Sequence, residues 1–170
     1  MPGSLPYLLT FPNPINEKAA RTVAGVVAGL AILALATGLH WLLLVIAYGF
    51  LARAATGPKL SPLGRFAMWF ARRYLGEPRY VAGPPKRFAQ GIGAVVTTGG
   101  SVCLVAGWST GAIIALSVII VAATLESVFG LCVGCIVFAG LMRAGLIPDE
   151  ICEACADITR GSAKHSAHSV

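Results

Sequence analysis

Four runs of nearly uncharged apolar residues, at about 20–37, 41–55, 89–108 and 112–129, constrain this chain more than any other feature. About 20 residues at 1.5 Å rise cross the hydrocarbon core of a bilayer, so runs of this length and composition read as membrane-spanning helices. A soluble fold would have to bury them all, yet charged residues make up only 12% of the 170, about half the share in an ordinary globular domain. The expected fold is therefore an all-α membrane protein: four transmembrane helices as two helical hairpins, each followed by a cytoplasmic interfacial helix. The membrane domain covers 17–158, with interfacial segments at 61–76 and 131–147. Residues 1–16 form an N-terminal segment, and 159–170, a Ser/Ala/His stretch, read as a disordered tail. Residues 1–16 hold four prolines and no basic residue, so they do not read as a secretory signal, and the first span is expected to be retained.

The basic residues orient the helices. The turns expected at 38–40 and 109–111 carry no Lys or Arg. Lys18 and Arg21 precede the first span. Arg53, Lys59, Arg65, Arg72, Arg73, Arg79, Lys86 and Arg87 lie between the second and third, and Arg143, Arg160 and Lys164 follow the fourth. Short loops rich in Lys and Arg stay in the cytoplasm, so all thirteen agree on one topology, with both termini inside. The net charge of +6 thus reflects membrane topology and does not predict a nucleic-acid partner. Trp41 and Trp108 fall at the outer turns, where an indole suits the interface.

Two C-x-x-C pairs, Cys132/Cys135 and Cys152/Cys155, follow the last span with sixteen residues between them. On the cytoplasmic face thiols are kept reduced, which disfavours a permanent disulfide. The spacing matches a four-thiolate metal site, because each C-x-x-C turn brings two sulfurs onto one ion and two turns complete a tetrahedron; zinc or iron would fit. A redox or sulfur-relay role is the alternative, since the first thiol of such a pair is acidified at a helix N-terminus. Glu153 and Asp157 would oppose thiolates in the second pair and tolerate a bound dication. Cys103, alone in an apolar helix, reads as packing.

The chain also repeats itself. "PLGRFAMWFARRYLGEP" at 62–78 overlays "CVGCIVFAGLMRAGLIP" at 132–148 without a gap, matching Gly64 with Gly134, Arg73 with Arg143 and Pro78 with Pro148. Lys18 answers Lys86-Arg87 after a two-residue adjustment. Each half would be two spans and an amphipathic segment, related by an axis along the membrane normal. The first segment sets Phe66, Trp69 and Phe70 against Arg65, Arg72 and Arg73, as on a helix lying on an anionic leaflet; the second presents thiols. Glu126, near the inner end of the fourth span, needs a counter-ion at that depth, and Arg53 is the expected partner. Gly25 and Gly29, and Gly91, Gly99 and Gly100, are expected to let helices approach closely.

"PPKRFAQGIGAV" followed by "LESVFGLCVGCIVFAGLMRAGLIPDEICEAC" resembles a bacterial membrane family known as domain of unknown function 4395, over about 13–157. The resemblance implies a bacterial inner-membrane protein with a cysteine pair after its final span, and it names no activity. No phosphate loop, dinucleotide fingerprint or nucleophile triad accompanies it. Three functions remain open: a zinc- or iron-binding module that docks a partner, a thiol relay working with a thioredoxin-like or rhodanese-like protein, and an accessory subunit of a larger membrane complex. Each besides needs the lipid bilayer.

Overall fold

The computed structural model describes residues 12–146. Cys152, Cys155, the ends of the 131–147 segment and of the membrane domain, and the 159–170 tail lie outside the described residues. Those described form six helices: α1 (Glu17–Thr37), α2 (Leu42–Thr56), α3 (Pro62–Tyr74), α4 (Gly83–Val105), α5 (Ser109–Thr124) and α6 (Val133–Arg143). A π-helical turn, Leu125–Phe129, prolongs α5.

Three of these stretches are long and apolar enough to cross a membrane: α1, α4, and α5 with its π turn. The α2 and α6 helices are apolar but shorter. At 15 residues and 1.5 Å each, α2 extends about 22 Å, less than the roughly 30 Å of a hydrocarbon core. The α4 helix begins earlier than the expected run because Pro84 and Pro85 suit a helix's first turn. The second turn falls at 106–108, around Gly107 at φ 82°, and Ser109 already belongs to α5. An all-α chain was expected, yet two short antiparallel strands are present. β1 (Ile15–Asn16) pairs with β2 (Tyr80–Val81), Ile15 opposite Val81.

These elements pack in a self-similar way. The α1 helix lies against α5, and α4 against α2; α3 packs on α1, and α6 on α4. Exchanging α1–α3 with α4–α6 leaves this set of partners unchanged. The strand pair obeys the same exchange, since β1 leads into α1 and β2 into α4. The core is built of small residues, including Ala28, Ala31, Ala34, Ala112 and Ala115, around Leu43, Ile46 and Leu116. Close approach depends on two α4 glycines. A Cβ on Gly93 would fall 2.3 Å from the Phe50 ring, and one on Gly100 2.4 Å from the Ala115 methyl. Gly100 was expected in this role and Gly93 was not; Gly29, Gly91 and Gly99 have open space beside them. Cys103 packs against Gly111, where α4 meets α5.

The α3 helix starts at Ser61, whose Oγ accepts from the Gly64 N–H at 3.1 Å. Gly64, Ala67 and Ala71 are buried on one face. Phe66, Trp69, Phe70 and Tyr74 form an aromatic row, with Phe66 and Trp69 exposed.

The charged groups gather at one end of the bundle. Lys18 donates to the Leu75 carbonyl at 2.6 Å, Glu17 pairs with Arg79, and Arg87 reaches the Ala54 carbonyl. Arg21 donates to the Ser127 and Val128 carbonyls at 2.8–3.1 Å, occupying acceptors that the π turn leaves open.

Candidate functional site

Two local features build the site at this charged end. Gly130 adopts φ 70°, a left-handed conformation that costs other L-residues strain, and it ends the π turn. Gly134 is the second. A Cβ there would lie 2.5 Å from Ala89 Cα, so only glycine lets the start of α6 rest directly on α4.

Cys132 is thereby fixed as the N-cap of α6, its carbonyl accepting from the Cys135 and Ile136 N–H groups, and Cys135 sits one turn in. Both are free thiols; Cys132 is buried and Cys135 half-buried. The neighbouring Cys135 thiol holds the Cys132 thiol down at about 7, against 9.0 for an ordinary thiol. Burial and the Glu126 carboxylate oppose this, and the Lys86 ammonium assists it. The Cys132 sulfur, with burial, pushes Cys135 well up. Cys132 is thus the more readily deprotonated thiol of the two.

Behind the thiols lies an ion pair. Lys86 Nζ and Glu126 Oε1 are 2.6 Å apart, with side chains 9% and 17% exposed. At that burial the pair is structural as well as electrostatic, because a lone charge there would be expensive. Lys86 rather than Arg53 is therefore the hydrogen-bonded counter-ion of Glu126. Arg53 is near enough to feel the carboxylate's field, but its Nε donates to Gln90 Oε1 at 3.0 Å. Its guanidinium lies 4.7 Å from the Phe50 ring centroid and folds against Gly49, where a Cβ would be 2.9 Å from it. Only 5% of Arg53 is exposed, and both terminal nitrogens lack a hydrogen-bond acceptor among the described residues.

Arg53, Gln90, Glu126 and Cys132 share the wall of one cavity of about 200 Å³, otherwise lined by apolar residues of α1, α2, α4, α5 and α6. Of the residues read from sequence, the structure brings together Cys132, Cys135, Glu126 and Arg53. It adds Lys86 and Gln90, which sequence reasoning missed as site residues. Lys86 carried a signal in its match to Lys18, but its basic neighbours made it look like a topology determinant. No group of three or more His, Cys, Asp or Glu side chains placed to hold a metal occurs among the described residues, and Cys152 and Cys155 lie beyond them.

This geometry defines a class: a helical protein with membrane-length apolar helices and a dithiol set against a buried ion pair. The model of the family described as domain of unknown function, DUF4395, matches residues 15–143, and the chain belongs to that family. No curated protein and no solved structure matches the chain.

Proposed function

We propose that this chain is a membrane dithiol–disulfide protein in which Cys132 is the attacking thiolate and Cys135 the resolving thiol. The observation that carries the reading is the placement of Cys132 as the N-cap residue of α6 beside Lys86, with Cys135 one turn on, the Cys132 thiol lowered and that of Cys135 raised. Thiol–disulfide exchange needs this division of labour, with a thiolate present near neutral pH and a protonated neighbour poised to displace the mixed disulfide. The second pair, Cys152/Cys155, would exchange electrons or sulfur with the first, or with a thioredoxin-like or rhodanese-like partner.

A metal reading rests on a different observation, the two C-x-x-C pairs sixteen residues apart. In it Cys132, Cys135, Cys152 and Cys155 hold zinc or iron and fix the C-terminal segment as a docking site.

In the same proposal α2 serves as a fourth, short span, its exposed Leu44, Val45, Tyr48 and Leu51 facing lipid. The charged end of the bundle then faces the cytoplasm of a bacterial inner membrane. Trp41 and Trp108, exposed at the opposite end, sit at the outer interface. The aromatic and basic α3 lies along the inner leaflet, available to a larger membrane complex.

One experiment separates the chemistries. Anaerobically purified, detergent-solubilised protein is equilibrated with reduced and oxidised dithiothreitol, and its thiols and metal are counted in each sample. Reversible loss of two thiols per chain in metal-free protein is the expected result. One equivalent of zinc or iron, with four thiols protected until a chelator releases it, would replace the redox reading with the metal one.

A further inference from the structure

The cavity beside Cys132 has features that a dithiol alone does not require. Cys132 forms part of one wall and Arg53 part of another, the Arg53 side chain almost fully buried with two nitrogens that have no acceptor among the described residues. Buried donors of this kind are normally satisfied, so they point to an acceptor-bearing occupant. That occupant is not an anion, because the Glu126 carboxylate lines the same space. The remaining wall is apolar and includes the Phe50 ring. At about 200 Å³ the cavity is smaller than the roughly 300–1,000 Å³ that drug-sized ligands occupy, and it suits a single substituted ring. Ile92, Val118, Val133 and Val137 line it while being exposed on the flank of the bundle, so its mouth opens on the apolar surface.

We infer that this cavity takes the ring of a membrane quinone, with Arg53 donating to a ring carbonyl and the Cys132 sulfur against the ring. The inference rests on the dithiol reading and names its electron acceptor. In the reaction two S–H bonds break and one S–S bond forms between Cys132 and Cys135. The two electrons and two protons released pass to the quinone, which becomes a quinol with two new O–H bonds. A neutral ring carrying two acceptor oxygens fits donors that have no acceptor among the described residues, and its apolar tail would leave through the mouth into lipid.

The test uses the full chain in detergent, fully reduced and freed of reductant, mixed with a short-chain ubiquinone analogue under anaerobic conditions. Quinol is followed by absorbance and thiols by titration. We expect one quinol per chain with loss of the Cys132 and Cys135 thiols. Arg53→Gln should slow this at least tenfold. Because that buried substitution can compromise folding, Val137→Trp, at the exposed mouth, provides a second variant and should slow it comparably. If dithiothreitol cycles the wild-type pair but no quinol forms, the quinone site is wrong and the dithiol reading stands. If dithiothreitol cannot cycle the pair either, both fall. Quinol formation at an unchanged rate in both folded variants overturns the cavity assignment.

Discussion

The two halves of the bundle share a plan and differ in what they do with it. In the first, α2 ends in a regular turn whose Thr56 is fully buried, its hydroxyl donating to the Ala52 carbonyl. Ser61 then caps an amphipathic α3. In the second, the position matching Thr56 is Glu126, the helix widens into a π turn, and the cap of α6 is Cys132. Lys18 and Lys86 open α1 and α4 at matching places, yet Lys18 bonds an exposed carbonyl and Lys86 a buried carboxylate. π turns interrupt helices at a cost and recur at functional sites; here one carries Glu126. The comparison teaches that two halves can share a packing plan while only one carries a thiol pair and a buried ion pair.

The largest test of that asymmetry is at the paired lysines. Lys86→Met leaves Glu126 buried and unpaired and should destabilise the detergent-solubilised protein by about 3–5 kcal/mol. Lys18→Met, which removes only an exposed hydrogen bond, should cost about 1 kcal/mol or less. Thermal unfolding followed by circular dichroism measures both, and equal losses would erase the distinction between the halves.

The matched glycines sharpen it next. Gly64→Ala and Gly134→Ala each drive a Cβ into neighbouring backbone, at 2.9 Å from Pro58 Cα and 2.5 Å from Ala89 Cα, and each should cost roughly 1–3 kcal/mol. Only the second should also make Cys132 less reactive at neutral pH, by lifting α6 away from Lys86.

Cys135→Ala removes the neighbour that lowers the Cys132 thiol. The thiolate predominates above about pH 7 in the parent, so alkylation should fall as pH drops through 7. In the variant the midpoint should move up towards the ordinary thiol value of 9.0. Iodoacetamide rates between pH 5.5 and 9.5 give both midpoints, and an unmoved midpoint would show that Cys135 does not tune its neighbour. The smallest effect belongs to the first half. Ser61→Ala should cost about 1 kcal/mol through loss of the α3 cap and leave thiol reactivity untouched.

Much of the scaffold was legible because apolar runs and the glycines and prolines between them are local signals. The repeat was legible for a related reason, since Gly64 and Gly134 are both held against backbone and neither tolerates a side chain. The site was only partly legible. Cys132 and Cys135 announce themselves by spacing, and Glu126 by its depth in an apolar helix. The assignment of Arg53 to Glu126 followed from comparable depth alone, which says nothing about the side of the bundle each faces. Gln90, a neutral residue in an apolar stretch, gave no signal.

The sequence alone determined that this chain is dominated by membrane-length apolar helices with a pair of thiols after the last of them, because hydrophobicity, charge and C-x-x-C spacing act over a few consecutive residues. Only the tertiary structure decided that Lys86 meets Glu126, that Cys132 and Cys135 open α6 beside that pair, and that Arg53 lines a cavity with two nitrogens lacking an acceptor among the described residues. Those outcomes depend on how α4 lies between α2, α5 and α6, and it is burial in that packing that makes each charge and each unpaired donor matter.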